Sequence, residues 1–367
     1  MSQTVTIILA GGGTGGHLYP GIAVAEAMQT VLPAARPVFF CTERDIDRVI
    51  LQPTGFEFLT QPIVPPRADV LKFFRAYRET REMVNRVLCE RRPAVVVGLG
   101  GYAAGVAVKF AARRKIPTVI LNPDVIPGKA NQWLMRHSRV ICCQFEQTRR
   151  FIPAKHRRKI RITGCPIRKD ILRFPPRDEA ATRLEVDPHL HTLLVTGASQ
   201  GAVTVNAAML AIAPTITLNG WQILHLAGSD HGEEVRRGYR EKNVPARVID
   251  FTPDMADVWA VADLAVSRSG ASSCAELTAC GVPSILMPYP FHRDLHQRAN
   301  AKVLADAGAA VLMDDQRDAR KNADRLRPIL ESLLYDVPRR QEMSQASKRL
   351  GRPDAAVAVA NAIGELA

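Results

Sequence analysis

Two glycine-rich turns constrain this chain more than any other feature. Residues 11–20 read GGGTGGHLYP, and residues 197–206 read GASQGAVTVN. Each follows a β-branched or apolar run, residues 5–9 and 193–196, and each precedes a helix-compatible stretch. A strand that ends in a tight glycine turn and opens a helix presents backbone N–H groups, and the positive end of a helix dipole, to an anion. Written twice in one chain, the unit implies two nucleotide-type α/β domains, each built on a doubly wound parallel sheet, facing each other across a cleft.

Length allows this. The chain has 367 residues, enough for two domains with cores of their own. A hydrophobic content of 47% and a charged content of 23% are globular values. Lys and Arg number 49 against 36 Asp and Glu, a formal net charge of +13. Such a balance suits phosphorylated substrates, nucleic acid or an anionic membrane surface without choosing among them. The seven cysteines are scattered with no CxxC spacing, which reads as reduced core thiols in a cytoplasmic protein. Residues 5–9 lack a preceding basic segment and read as a strand rather than a leader. No run of about 18 uninterrupted apolar residues exists, so membrane contact is expected to be peripheral.

Strand and helix signals alternate along the chain. Strands are expected at 5–9, 37–42, 95–98, 118–121 and 140–143, with a first helix over about 19–31. A basic run at 149–161 ends near Gly164-Cys165-Pro166. The linker is placed there, giving an N-terminal domain over 1–166 and a C-terminal domain over 167–352. The second series of strands falls at 193–196, 222–226, 247–249, 264–267, 284–287 and 310–313. A last helix within 353–367 is expected to return to the first domain.

The chemistry concentrates after strands. Gly11, Gly13 and Gly16 match a dinucleotide-type fingerprint, with Glu43 after the second strand as a candidate ribose acid. His17 follows the glycines at the mouth of the helix, where N–H groups point at a ligand. Residues 268–277 read RSGASSCAEL and open another helix after an apolar strand. Small hydroxyl residues at a helix start suit a diphosphate. Glu276, one turn in, is placed to accept from ribose hydroxyls, although a plain N-cap with a capping-box glutamate has the same pattern. Residues 288–300, PYPFHRDLHQRAN, follow the next strand, and His296 and Gln297 are their best donors. Asp45-Ile46-Asp47 resembles a metal-binding DxD but reads better as acidic residues favouring a helix N-terminus.

The strings GGGTGGHLYPGIAVAEAM, GLGGYAAG, IPGKANQWL, GCPIRKDI, GASQGAVTVN, FTPDM, RSGASSCAEL and HQRANAKVLADAGAA occur in this order over essentially the whole chain. Together they resemble the MurG-type glycosyltransferases, which add N-acetylglucosamine to undecaprenyl-diphosphate-linked N-acetylmuramoyl-pentapeptide (lipid I) to give lipid II in peptidoglycan synthesis. The resemblance implies a GT-B fold with the acceptor in the N-terminal domain and UDP-N-acetylglucosamine in the C-terminal one. It puts Thr14, Gly15, Gly16 and His17 at the reaction centre. It sets Gly100, Gly101 and Tyr102 against the acceptor diphosphate, Arg168 and Ser199 against the donor phosphates, and the Thr252 backbone against the uracil. Ala271, Ser272, Ser273, Cys274, Ala275 and Glu276 would wrap the diphosphate and ribose, and His296 and Gln297 would reach sugar hydroxyls. The family usually carries His-Glu-Gln-Asn where this chain has Leu121, Asn122, Pro123 and Asp124. Asp124 restores a carboxylate nearby and is the second candidate base after His17.

The expected reaction is direct inversion at the anomeric carbon with no metal or cofactor required. The helix near Ser272 would stabilise the leaving diphosphate. Expected partners are UDP-N-acetylglucosamine, the lipid-linked muramoyl acceptor and an anionic cytoplasmic membrane face. Residues 70–81, VLKFFRAYRETR, are expected to meet that face through Leu71, Phe73, Phe74 and Tyr77, with Lys72, Arg75, Arg78 and Arg81 supplying charge. Three other readings share part of the pattern. A transferase with a different lipid-linked acceptor or a nucleotide-sugar epimerase would use the same donor site. A nicotinamide oxidoreductase would use residues 11–16 and Glu43 but leaves the RSGASSCAEL segment idle. A nucleic-acid binder would explain the charge, but aromatics are only 6% and no nucleic-acid motif is present.

Overall fold

The computed structural model describes residues 4–65, 69–197, 201–291 and 294–367. The chain divides into two compact units, residues 1–169 with 352–367, and residues 170–351.

The first unit is built on a seven-stranded sheet of β1 (Val5–Ala10), β2 (Ala35–Thr42), β3 (Glu57–Gln61), β4 (Val95–Gly98), β5 (Thr118–Asn122), β6 (Val140–Cys143) and β7 (Ile160–Ile162). All neighbours are parallel, in the order β3-β2-β1-β4-β5-β6-β7. The central strand β4 is buried at every residue. Its Val-Val-Val run is what a strand covered by helices on both faces needs, because neither face meets water. One face packs Ile8, Val96, Ile120 and Ile141 against Val106, Phe110 and Leu134. The other packs Ile7, Leu9, Val97 and Val119 against Leu18, Ile22 and Met28 of the first helix, and against Val359 and Ile363 of the last helix, Ala355–Gly364. The last helix thus completes the core of the first unit.

The second unit has six parallel strands, β8 (His191–Thr196), β9 (Trp221–Leu226), β10 (Ala246–Ile249), β11 (Ala262–Ser267), β12 (Ser284–Leu286) and β13 (Ala310–Leu312), in the order β10-β9-β8-β11-β12-β13. Its largest core cluster joins Leu193, Val195, Ile223, Val266 and Ile285 to the helices Val203–Ile212 and Ala319–Tyr335.

Several local expectations shift. The first helix spans Gly15–Val31, starting four residues before Tyr19 and carrying Pro20 inside it. Burial of Leu18, Ile22, Val24, Ala25 and Met28 on the sheet outweighs the poor helix propensity of its opening glycines. β3 and β7, both at sheet edges, have no counterpart among the expected strands. All seven cysteines are free; Cys41, Cys142, Cys143, Cys165 and Cys274 are buried, while Cys89 is exposed.

Candidate active site

In each sheet the strand order reverses at one point, between β1 and β4 and again between β8 and β11. Chain connections leave the sheet in opposite directions there and open a crevice at the carboxyl ends of the strands. Residues 11–17 follow β1, and residues 99–102 follow β4, so the glycine turns after these two strands meet at the first switch point. Residues 201–204 and 268–276 follow β8 and β11 and meet at the second, where Arg268 reaches Thr204.

At the first switch point His17 is held between the two turns. A Cβ built on Gly100 would lie 3.0 Å from the ring, and one on Gly101 would lie 2.9 Å from it. Both glycines also have left-handed backbone, with φ of 112° and 70°. Only glycine allows this chain direction and this approach together. His17 Nδ1 lies 3.1 Å from Thr14 Oγ1 and 3.4 Å from the Gly12 carbonyl. A carbonyl oxygen only accepts, so the proton is assigned to Nδ1 and the lone pair to Nε2. Burial pushes the imidazole below its ordinary pKa, against the Gly12 hydrogen bond and the fields of Asp124 and Asp47, which raise it. The ring is therefore neutral at pH 7 and able to take a proton at Nε2.

Asp47 anchors the turn from beneath. Its carboxylate accepts from the Gly13 N–H at 2.6 and 2.9 Å, from the Thr42 N–H at 2.8 Å and from the Thr42 hydroxyl at 2.7 Å, fully buried. Asp45-Ile46-Asp47 does open a helix, Asp45–Leu51, but the work of Asp47 is to order the glycine turn. Arg44 is a second group that sequence reasoning missed. Its Nη1 donates to the Gly13 carbonyl at 2.7 Å, and a Cβ on Gly13 would lie 3.5 Å from the Tyr102 hydroxyl. The position of Arg44 just past β2 was the available signal, because that strand borders β1 and its end faces the same crevice.

After β5, Leu121 and Asn122 are buried and have structural partners. Asn131 Nδ2 donates to the Leu121 carbonyl at 2.8 Å and to Asn122 Oδ1 at 3.1 Å, while Asn122 Nδ2 donates to the Asp124 carbonyl at 2.8 Å. Asp124 is the half-buried acid of this segment, and its field reaches His17. Arg168 also belongs to this unit, where its guanidinium stacks 4.8 Å from the Tyr19 ring centroid.

At the second switch point the helix Ala271–Cys280 starts from Gly270. Ala271, Ser272 and Ser273 occupy its first three positions, whose amides have no carbonyl of the helix to bond. The Cys274 amide already donates to the Gly270 carbonyl at 2.9 Å, and Cys274 and Ala275 are buried. Any diphosphate contact through this helix start therefore falls to residues 271–273. Ser269 Oγ donates to the Gln297 carbonyl at 2.9 Å, and Asn300 Nδ2 to the Ser269 carbonyl at 3.2 Å. These bonds bring the helix His296–Asp306 beside the helix 271–280. Gln297 Oε1 accepts from the Tyr289 N–H at 2.9 Å, and His296 Nε2 lies 2.8 Å from Asp294 Oδ2. Thr252 follows β10, where its hydroxyl accepts from the Asp254 N–H at 3.0 Å. Glu276 is half-buried, and its Oε2 accepts from the Trp259 indole N–H at 2.9 Å. Ser199 lies outside the described residues.

Beneath this cluster Arg268 is the group the sequence did not expose. Its Nη1 donates to the Met287 and Pro288 carbonyls at 2.8 and 3.1 Å and to Asp315 Oδ2 at 2.7 Å, and its Nη2 donates to Thr204 Oγ1 at 2.7 Å. It thus ties the segments after β8, β11 and β12 to one buried carboxylate.

Two parallel sheets with polar, glycine-rich crevices at their switch points define a class. The Glycosyltransferase family 28 N-terminal domain model matches residues 7–141, and the Glycosyltransferase family 28 C-terminal domain model matches residues 192–359. The chain is a glycosyltransferase of this class, and its fold is that of GT-B enzymes. It is 35% identical to the UDP-N-acetylglucosamine–N-acetylmuramyl-(pentapeptide) pyrophosphoryl-undecaprenol N-acetylglucosamine transferase of Halothermothrix orenii, over 98% of this chain and 99% of that one. It is 37% identical to the protein of the same name from Anaeromyxobacter dehalogenans, over 98% and 92% of the two chains. The chain belongs to this transferase family. Among solved structures, Acinetobacter baumannii MurG superimposes with a TM-score of 0.75 at 24% identity, over 98% of this chain and 99% of that one. The calicheamicin glycosyltransferase CalG4 and the Neisseria meningitidis UDP-GlcNAc 2-epimerase share the fold at 16% and 13% identity, with TM-scores of 0.64 and 0.66. They cover 99% of this chain each, and 98% and 99% of their own chains.

Proposed function

We propose that this chain transfers N-acetylglucosamine from UDP-N-acetylglucosamine to the 4-hydroxyl of undecaprenyl-diphosphate-linked N-acetylmuramoyl-pentapeptide, converting lipid I to lipid II. The observation that carries the substrates is the near full-length identity to transferases of that name. The residues supply a mechanism. In this reading the acceptor oxygen attacks the anomeric carbon from the face opposite UDP. The bond from that carbon to the β-phosphate oxygen breaks as the new glycosidic bond forms, and configuration inverts. His17 Nε2 takes the hydroxyl proton, and Asp124, whose field favours the charged ring, steadies the imidazolium. Negative charge growing on the leaving diphosphate meets the amides and hydroxyls of Ser272 and Ser273 and the positive helix end, a preorganised field that needs no reorientation during the step. Arg168 and Ser199 assist on the donor phosphates, and the Thr252 backbone, His296 and Gln297 select the base and the sugar. Among the described residues no group of three or more His, Cys, Asp or Glu is placed to hold a metal ion; the reading assigns the diphosphate to protein groups and requires no cofactor.

Incubation with UDP-N-acetylglucosamine and a series of lipid-diphosphate sugars tests the reading. A joined disaccharide only with the muramoyl-pentapeptide acceptor is expected. Joining to a different lipid-linked sugar would move the acceptor assignment. Epimerised UDP-sugar formed without any acceptor would replace transfer by epimerisation.

Glu276→Ala is expected to weaken UDP-sugar binding by about 1.5–3 kcal/mol, the scale of a charge-assisted hydrogen bond lost to a ribose hydroxyl. Glu276→Gln keeps an acceptor for the Trp259 indole and separates that structural bond from ligand binding. Unchanged UDP affinity by calorimetry in both variants would sink the ribose assignment.

Peripheral attachment to an anionic membrane face through the first unit completes the reading. Among the described residues no helix is long and apolar enough to cross a membrane. The helix Val70–Arg91 buries Val84, Val87 and Leu88 in its second half but leaves Val70, Leu71 and Phe74 at 67%, 81% and 63% exposure in its first. That asymmetry favours an interfacial role over an ordinary core helix. Lys109 sits among the Tyr77, Phe110 and Trp133 rings and adds a cation to the aromatic surface. Arg75 and Arg78 pair with Glu79 and Glu82 across one exposed turn, bonds that water and lipid headgroups readily replace. Each Lys or Arg near anionic lipid adds about 1 kcal/mol. Reversing Lys72, Arg75 and Arg78 together is therefore expected to release the protein from anionic vesicles, while turnover of a short-chain, water-soluble acceptor stays nearly intact. Equal sedimentation with neutral and anionic vesicles, insensitive to these changes, would exclude this surface.

A further inference from the structure

The second unit has a large cavity at the amino ends of its inner strands, away from the candidate site. Its volume is about 580 Å³. His191 begins β8, Ala262 and Asp263 begin β11, and Pro283 precedes β12, so the cavity opens at the amino ends of the strands. One wall is the helix Val337–Leu350, which turns Val337, Arg340, Gln341, Ser344 and Lys348 toward it at successive helical turns. The opposite walls come from the segment Phe174–Arg177 and from Trp259, Ala279 and Cys280.

Charge in this cavity is unbalanced. Its one carboxylate, Asp263, is already committed: it accepts from Arg177 Nη2 at 2.9 Å and from the Thr192 N–H at 2.8 Å. Arg340 is only 7% exposed. Its Nη1 donates to the Leu333 and Leu334 carbonyls at 2.6 and 2.8 Å, and its guanidinium stacks 4.9 Å from the Trp221 ring centroid. Among the described residues no carboxylate lies within ion-pair distance of Arg340 or of Lys348. Burial holds the Arg340 pKa below the ordinary arginine range, against the fields of Asp263 and Asp336, which raise it; an anion at Nη2 or Nε would offset the remaining cost. A buried guanidinium is seldom left without a counter-charge. Arg340, which has no ion pair of its own although the fields of Asp263 and Asp336 reach it, and the exposed Lys348 lie beside apolar walls in a space several times the size of a phosphate; the pair suits a small organic phosphate, with a dianionic head and an apolar or aromatic body.

We propose that this cavity is a second binding site of the enzyme, taking a small soluble organic phosphate with its head on Arg340 and Lys348 and its body against Phe174, Val337 and Pro283. The site also has a physical route to the first. Trp259 lines the cavity, and its indole N–H is the donor to Glu276 Oε2. A ligand that moves the indole changes the acceptor geometry of Glu276. The effect on the donor rests on the reading of Glu276 as a ribose contact; the occupancy of the cavity does not.

Calorimetric titration of the full chain with phenyl phosphate, with and without saturating UDP, tests the proposal. One binding event that survives UDP is expected, accompanied by a change in tryptophan fluorescence. Ser344→Asp puts a negative charge on the cavity wall, and Lys348→Glu reverses one cation; each is expected to weaken binding roughly tenfold or more without shifting the urea midpoint. Arg340 itself is left intact because it holds the end of the preceding helix. Absence of binding, full competition by UDP, or affinity unchanged in both variants overturns the site. Phenyl phosphate is further expected to change UDP affinity by about fivefold, the lower end of measured couplings, and Trp259→Phe to remove that change. A change that persists in Trp259→Phe overturns the route through the indole. A chain that binds phenyl phosphate but not UDP supports the cavity and overturns the role of Glu276, so the two failures read differently.

Discussion

His17→Ala is expected to lower turnover by about 10²–10⁴ while UDP binds with unchanged affinity. The expectation follows from geometry. The ring is clamped by the glycine turns after β1 and β4, its Nδ1 faces the Gly12 carbonyl and the Thr14 hydroxyl, and its remaining nitrogen carries the lone pair. The sign of the pH dependence follows too. Burial lowers the imidazole pKa from its ordinary 6.5, so the neutral, basic form persists below that value and the acid limb of turnover lies at lower pH than for a solvated histidine. Asp124→Asn removes the carboxylate whose field raises the His17 pKa, and is expected to move the acid limb further down with a smaller loss of turnover. Collapse of UDP affinity in His17→Ala with normal saturating turnover would make the histidine a donor-binding group. A larger loss in Asp124→Asn than in His17→Ala would transfer the base role to the aspartate.

Asp315→Ala is expected to destabilise the protein by about 3–5 kcal/mol, the cost of leaving a buried charge without its partner. Arg268 and Asp315 are both buried, and among the described residues Asp315 is the one carboxylate within ion-pair distance of Arg268 and the Arg268 Nε has no hydrogen-bond partner. Asp315 further accepts from Thr204 and Asn322 and from the Arg317 N–H, which would all lose an acceptor together. Burial alone would raise the Asp315 pKa, but the bonds from Thr204, Asn322, Arg317 and Arg268 together bring it below the ordinary aspartate value of 3.8. A carboxylate depressed in the folded state contributes stability that is present above that value and is lost as pH falls through the folded pKa. Urea midpoints measured from pH 7 down through that range are expected to fall less steeply in Asp315→Asn than in the unmodified chain. A midpoint within measurement error of the unmodified chain in Asp315→Ala would remove this brace from the account of the second unit.

The two substituted positions act on different things. His17 is half-buried at the mouth of a helix and lies outside the hydrophobic core clusters, so its loss falls on turnover. Arg268 and Asp315 face no substrate in this reading, but they join the ends of three strands whose following segments form the donor side. Loss of Asp315 is therefore expected to reduce donor affinity as well, through looser positioning of Met287 and Pro288 after β12 and of Thr204 after β8 rather than through a missing contact.

Local patterns carried much of this protein. The Val-rich run of β4 and the apolar runs of β1, β8 and β11 mark strands covered on both faces, because such continuous apolar stretches are stable only away from water. The glycine turn after β1 and the hydroxyl-rich start at Ala271 were legible for the same reason: the backbone chemistry of a strand–turn–helix junction is contained in a few consecutive residues. The edge strands of the first sheet were not legible, whereas those of the second, β10 and β13, were. β3, Glu-Phe-Leu-Thr-Gln, is half-buried with polar residues along it, and β7 is three residues inside a basic run, so neither shows the period or length that marks a strand.

Tertiary structure alone decided which turns share a crevice. β4 lies beside β1 although two strands intervene in the chain, and β11 lies beside β8 in the same way. Only that order brings Gly100 and Gly101 onto the His17 ring and Arg268 onto Thr204. Asp47 beneath Gly13, Asp315 against Arg268 and Trp259 on Glu276 are likewise pairs separated by 17 to 47 residues. Their partners are chosen by which helices and strands are neighbours, a consequence of burying apolar faces together, and no short stretch of sequence contains that choice.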